Sequence, residues 1–299
     1  MRTLVVCLNP TFQHTLVFSS FSPGEVNRAQ RHYLDASGKG MNAARILTQL
    51  GHKAILLTHL GGKRKDEMLE LSERDGVAVR WADSHSDIRT CTTILCQGTA
   101  TELVEEPYPV DPSTEAGIRV LFTQALDEVD ALIITGTRAP GYAPSLYADF
   151  VREAKQRGRF VLLDLKGDDL KACLPFRPDV IKPNLSEAVH TFLGQTVGEQ
   201  EKTDHLMASI RSTMEEIHRT YGTITVLSRG KQEMWVQGES FFTVPIEEVE
   251  AVNTIGCGDS LGAALTASLY TGTNLQHAAI YATNVATMNA KSIHPGCIV

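Results

Sequence analysis

The chain has six cysteines in 299 residues, with no C-x-x-C pair and no Cys/His cluster at zinc-ligand spacing, so neither a disulfide scaffold nor a structural zinc site is written in it. Cys7, Cys91, Cys96, Cys173, Cys257 and Cys297 read as reduced thiols, which points to the cytoplasm. No apolar run approaches the ~18 residues needed to span a bilayer. The opening MRTLVVCLNP is broken too early by Asn9-Pro10 for a secretion signal and reads as a first strand. Basic charge never gathers into a block: 28 Lys and Arg against 35 Asp and Glu leave a net charge of −7. That balance excludes nucleic acid or an anionic membrane as a partner held by bulk charge, and an anionic substrate would need a local basic pocket. Known phosphate loops are missing too. Gly38-Lys39-Gly40 lacks the earlier glycine and the following Ser or Thr of a Walker loop, and no G-x-G-x-x-G follows a strand.

What is present is a steady beat of strand and helix patterns. With 42% hydrophobic and 21% charged residues, the chain can bury one large core or two modest ones. Leu4 to Leu8 predicts a buried strand, and GMNAARILTQL over Gly40 to Leu50 predicts a helix ended by Gly51. Ala54 to Leu57 and Val77 to Trp81 read as strands around a polar helix near Lys65 to Arg74. From Asp111 onward, helices near Ser113 to Leu126, Pro144 to Gln156 and Asp204 to Thr220, and one from Leu185, alternate with strands Ala131 to Ile134, Phe160 to Leu163, Val180-Ile181 and Thr223 to Leu227. Such alternation predicts an α/β fold with a mainly parallel sheet covered by helices on both faces. Two segments break the beat. Residues 11–34 and 88–106 are polar, alternating and helix-poor, and predict a small β-sheet that serves as a lid or pairs with another subunit. No linker or repeat divides the chain, so 1–299 reads as a single domain with that lid.

Two constellations carry chemistry. In Asn253-Thr254-Ile255-Gly256-Cys257-Gly258-Asp259-Ser260, followed by LGAALTASLY, glycines turn the backbone into a helix start where the N–H groups of Gly256, Cys257 and Gly258 would form an anion hole. Asp259 is then either a routine helix-capping acid or a general base set beside that hole, as phosphoryl transfer needs. In Ala36-Ser37-Gly38-Lys39-Gly40-Met41-Asn42, small residues enter a helix whose first turn carries Lys39 and Asn42. This is either a glycine loop before a packed helix or a site for a phosphorylated or polyhydroxylated ligand. Lys39 sits awkwardly with the former, since a helix N-terminus disfavours a cation unless an anion is bound.

On these residues the chain resembles the ribokinase/PfkB carbohydrate kinases. NTIGCGDSLGAAL resembles their D-T-x-G-A-G-D signature, and SGKGMNAARILTQLG their Gly-Gly-Lys-Gly-x-Asn segment. LNP at Leu8 to Pro10, GEVNRA at Gly24 to Ala29, GTRAPG at Gly136 to Gly141, DLKG at Asp164 to Gly167 and KPNLSE at Lys182 to Glu187 extend the likeness along the chain, closest to the 1-phosphofructokinase and tagatose-6-phosphate kinase branch. The resemblance implies a ribokinase-like three-layer sandwich and ATP with Mg²⁺ as cofactors. It makes Asp259 the catalytic base, with Gly256, Cys257 and Gly258 as the anion hole. It places Gln13, Gly38, Lys39, Asn42, Arg89, Thr137 and Arg138 at the sugar phosphate, and Lys182, Asn184, Glu187, Ser228 and Gly230 at ATP, with Glu187 reaching Mg²⁺ through water. It also implies a homodimer clasped through the lid.

Departures from the family pattern bear on substrate choice. Gln13 stands where an aspartate is usual, and Cys257 stands between the two glycines, where a low thiol pKa or an inert buried thiol are the alternatives. Arg138 and Lys166 add cations after consecutive strands, for a second phosphate or for solvent, and Lys231 to Met234 replace the usual glycine after the S-x-G loop. The expected activity is phosphorylation of fructose 1-phosphate to fructose 1,6-bisphosphate. Tagatose-6-phosphate or fructose-6-phosphate kinase, or a non-catalytic sugar-phosphate or nucleotide sensor, are the alternatives.

Overall fold

The computed structural model describes residues 1–196 and 204–298. In chain order its strands are β1 (Arg2–Cys7), β2 (Thr11–Phe18), β3 (Arg31–Ser37), β4 (Lys53–Leu60), β5 (Ala78–Asp83), β6 (Arg89–Cys96), β7 (Thr99–Leu103), β8 (Ala131–Thr135), β9 (Phe160–Asp164), β10 (Val180–Ile181), β11 (Ile224–Arg229), β12 (Gln232–Gln237) and β13 (Phe241–Val244). The helices are α1 (Lys39–Gln49), α2 (Lys65–Arg74), α3 (Pro112–Leu126), α4 (Leu146–Gln156), α5 (Gly167–Cys173), α6 (Leu185–Ala188), α7 (Met207–Tyr221), α8 (Cys257–Tyr270) and α9 (Leu275–Lys291).

Nine strands form one sheet in the order β13-β12-β11-β10-β9-β8-β1-β4-β5, parallel throughout except for the antiparallel β11-β12-β13 edge. The continuous apolar runs follow from burial on both faces. In β1, Val5 packs with Met41 of α1 and Leu265 of α8, while its neighbours Leu4 and Val6 point the other way, to Phe122 of α3 and Phe150 of α4. These are the helix layers of a three-layer sandwich. The expected helices and strands are present with ends shifted by a few residues: the first strand closes at Cys7, and α7 starts at Met207 behind one tight turn at Asp204–Leu206.

A second sheet, in the order β3-β2-β6-β7, stands apart from the main one. It falls on the two helix-poor segments, although β3 runs on to Ser37, three residues past the expected limit, and leads directly into α1. Its base is fixed to the body. The Arg64 guanidinium lies 3.8 Å above the buried Phe12 ring, and its Nη1 donates to Thr90 Oγ1 at 3.4 Å. Its outer strand β7 is exposed along its whole length.

The strand order sets where a site can form. From β1 the chain builds outward through β4 and β5, then crosses back to place β8 on the other side of β1. The order therefore reverses at β1/β8, and the crevice beyond the carboxyl ends of those strands is the expected ligand position in such sheets. Asn9 and Thr137 leave those two ends and join across them, Asn9 Nδ2 donating to Thr137 Oγ1 at 3.0 Å.

Candidate active site

Beside that crevice α8 begins. Gly256 adopts φ 87° and is the cap residue, and among the described residues no side chain caps the helix. The N–H groups of such a first turn have no helical partner by geometry. The Cys257 N–H is the exception within the expected hole, closing a long 3.3 Å turn bond to Thr254 O. The capping alternative for Asp259 therefore does not hold. Asp259 is 7% exposed, and its Oδ2 accepts from Asn42 Nδ2 at 2.8 Å. Burial pushes its carboxyl up to about 6, helped by the nearby Asp164 charge and opposed by Lys39 and Asn42. A carboxylate with that affinity is matched to accepting a proton near neutral pH.

Lys39, the first residue of α1, reaches the same space from the other side of the crevice. Its Nζ lies 3.5 Å from Glu187 Oε1 and 3.7 Å from Asp164 Oδ2. Asp164, then Glu187 and Asp259, raise its affinity for its proton against the cost of burial, so it stays charged. Its position is made possible by Gly40: a Cβ there would stand 2.4 Å from Cys7 Cβ, so only glycine lets α1 cross β1 this closely.

Asp164, at the end of β9, was not among the residues expected at the site. It accepts from Thr135 Oγ1 at 3.2 Å and faces Lys182 Nζ at 3.3 Å. Burial opposes its ionisation, but Lys182 and Lys39 beside it hold the carboxyl below its usual range. Its signal in the sequence was its place at the carboxyl end of a central strand. Lys182 is 3% exposed and lies under the start of α8, where a Cβ on Gly258 would meet its Nζ at 3.4 Å. Asn184 and Glu187 form a reciprocal capping box on α6: Asn184 Oδ1 accepts from the Glu187 N–H at 2.8 Å, and Glu187 Oε2 from the Asn184 N–H at 3.0 Å. That fixes Glu187 with its other oxygen toward Lys39. Ser228 bridges to Asn184 in parallel, and Gly230 turns with φ 63°, so the two segments expected at the nucleotide meet.

The remaining expected residues divide. Gly38, φ 104°, leaves β3 against Asn9 and Cys7, and Thr137 holds Asn9 as above. Asn42 has its amide nitrogen on Asp259 while its Oδ1 accepts from Ser37 Oγ at 3.0 Å, so it orients the acid. Arg89 donates to Glu105 O at 2.8 Å and Asn9 O at 3.4 Å, and its buried Nε has no partner among the described residues. Gln13 is turned into the small sheet, its Nε2 donating to Thr93 Oγ1 at 2.8 Å and Cys91 O at 3.3 Å. Arg138 pairs with Asp169 and lies over the Tyr147 ring, and Lys166 is exposed. Of the alternatives for those two cations, Arg138 is spent on its partner and Lys166 on solvent. Burial pushes the Cys257 thiol up, helped by Asp259 and opposed by its contact with Asn289, which runs against the low-pKa alternative.

Among the described residues no group of three or more His, Cys, Asp or Glu side chains could hold a metal, and no helix is long and apolar enough to cross a membrane.

Comparison with known proteins matches residues 3–296 to the pfkB family carbohydrate kinases. Among solved structures, a protein described as a possible 1-phosphofructokinase from Thermotoga maritima superposes with a TM-score of 0.85 at 19% identity, over 99% of this chain and 94% of that one. The tetrameric inhibited form of phosphofructokinase-2 from Escherichia coli gives 0.83 at 21% identity over 97% and 94%. The same enzyme in complex with fructose-6-phosphate gives 0.81 at 20% over 97% and 93%. At these identities the likeness is one of fold.

Proposed function

Since the chain belongs to the pfkB family of carbohydrate kinases, we propose that it transfers the terminal phosphoryl group of ATP to a hydroxyl of a sugar that already bears a phosphate, with fructose 1-phosphate as the first candidate and fructose 1,6-bisphosphate as its product. Fructose 6-phosphate and tagatose 6-phosphate are the alternative acceptors. The observation that carries the reading is Asp259: a buried acid pushed up to about 6, at an uncapped helix start, aimed by Asn42.

In this reading Asp259 takes the proton of the attacking hydroxyl as the new P–O bond forms. The free N–H groups at Gly256 and Gly258 meet the charge that builds on the transferred phosphoryl oxygens. Lys39, drawn to both Asp164 and Glu187, stands between the acceptor loop and the N-x-x-E segment and can follow the phosphoryl group from donor to acceptor. Arg89, with its unpartnered Nε, and Asn9 lie where the acceptor's own phosphate would enter. Magnesium fits this donor set in one way. Two carboxylates converging on Lys39 suit an ion that keeps most of its waters and arrives on nucleotide phosphates, with Glu187 and Asp164 as its protein anchors. Bound there, Mg²⁺ would neutralise phosphate charge. The small sheet is the lid in this proposal, and the fully exposed edge of β7 is the surface through which two copies would pair.

Coupled ADP release across a panel of phosphosugars tests the reading. Turnover with fructose 1-phosphate above the other sugars is expected. No turnover with any of them, together with thermal stabilisation by one, would make the protein a sensor.

A further inference from the structure

One buried side chain near the site has no part in the chemistry above. Asn289, in the last turn of α9, is fully buried, and both ends of its amide are engaged. Its Nδ2 donates to Ile255 O at 2.9 Å and to Cys257 Sγ at 3.3 Å, and its Oδ1 accepts from Ser260 Oγ at 3.2 Å and from the Cys297 N–H at 3.1 Å. Three of these four partners bracket the proposed anion hole and base: the residue before Gly256, the residue between the glycines, and the residue after Asp259. A buried amide satisfied on all sides fixes geometry, because moving any one partner strands a polar group away from water.

The fourth partner ties in the chain beyond α9, which returns to the site as a turn over Pro295 to Cys297. A Cβ on Gly256 would lie 2.5 Å from the Gly296 nitrogen, and a Cβ on Gly296 would lie 2.6 Å from Asn42 Cα. The turn is thus wedged between the start of α8 and the first turn of α1. Arg45 of α1 secures it, Nη1 donating to Pro295 O at 2.6 Å and, at 3.4 Å, to Asn42 Oδ1. Since Asn42 also donates to Asp259, the contacts close a circuit from the base through Asn42, Arg45 and the turn to Asn289 and back to α8.

We propose that Asn289 and the Pro295–Cys297 turn it anchors are a positioning device that sets the spacing between the α8 anion hole with its base and the acceptor loop at the start of α1. They touch no reacting atom. The inference rests on reading the α8 start as the phosphoryl-transfer site, and it locates the consequence in turnover. Amide donors are called on as charge develops in the transition state, so their displacement lowers the rate, whereas acceptor affinity is set on α1 and the small sheet.

Asn289→Ala and the milder Asn289→Ser, both of which leave α1 untouched, test this, so that the second carries the test if the first fails to fold. Each folded variant is measured by hydrogen exchange and by steady-state kinetics. The expected result is exchange of the hydrogen-bonded Ile255, Cys257 and Ser260 amides at least ~10-fold faster than in the unmodified chain, with kcat lowered at least ~10-fold and KM for the sugar phosphate within about threefold. Unchanged protection of these amides, or a rise in KM at constant kcat, overturns the proposal. Loss of protection in the variants of a chain that itself phosphorylates no sugar phosphate would leave the positioning device standing and remove the functional reading.

Discussion

Asp259 is held between opposing demands. Burial and the Asp164 charge favour its protonated form, while Lys39 and the Asn42 amide favour the carboxylate, and the balance leaves it near 6. If it is the base, kcat/KM for the sugar phosphate falls as pH drops through about 6 and levels off above it, which a pH–rate profile measures directly. The same balance has a thermodynamic side. A carboxyl whose affinity for its proton is higher in the folded than in the unfolded chain contributes stability that is complete at acid pH and lost as pH rises through about 6. Asp259→Asn should therefore melt above the unmodified protein at pH 8, by on the order of 2 kcal/mol, and the gap should narrow toward pH 4. Thermal melts at the two pH values check it. The glycines and Asp259 could be read from the sequence because each is fixed by its local backbone, whereas Asn184 and Glu187 came only from the family resemblance and their reciprocal cap from the structure. The partners that orient them could not. Asn42 and Asp259 stand 217 positions apart, and the roles of Asp164 and Asn289 arise only from what folding stacks against them.

At the scale of elements, close approach between backbones does the positioning. α1 lies on β1 through Gly40, and Gly40→Ala should cost roughly 1–3 kcal/mol as helix and strand are forced apart. Denaturant unfolding would measure the loss, and an unchanged midpoint would contradict the crossing described here. The βαβ units were legible because long apolar runs and helical periods are strong patterns when both sheet faces are covered. The β12-β13 hairpin and α9 were not. β12 places Met234 and Val236 inward with Trp235 between them, an apolar run too short to separate from a loop. α9 buries Ala278, Ala279, Ala282 and Ala290 against its neighbours, and such small residues make a faint stripe although they permit tight packing on α8. The small sheet is legible as a helix-poor region, but its expected limit at Leu34 falls short of the end of β3 because Ala36 and Ser37 read as part of the following loop.

For the whole molecule, a net charge of −7 and the two anionic substrates of the proposed reaction are reconciled by distribution. Lys39, Lys182 and Arg89 gather at the crevice beyond β1 and β8, while Arg138 and Lys166, which could have joined them, are turned to Asp169 and to solvent. In the proposed reaction, acidic surface elsewhere keeps polyanions away while the local cations with an uncapped helix start would admit small phosphates. The account as a whole depends on Asp259 acting as the base in that crevice. Its most direct test is the turnover of Asp259→Asn, measured by coupled ADP release with the phosphosugar that the unmodified protein accepts and with folding verified by circular dichroism. A fall in kcat of at least ~10² is expected for loss of a general base. A folded variant within about threefold of the unmodified rate would contradict the mechanism, since uniform binding alone does not need the carboxylate.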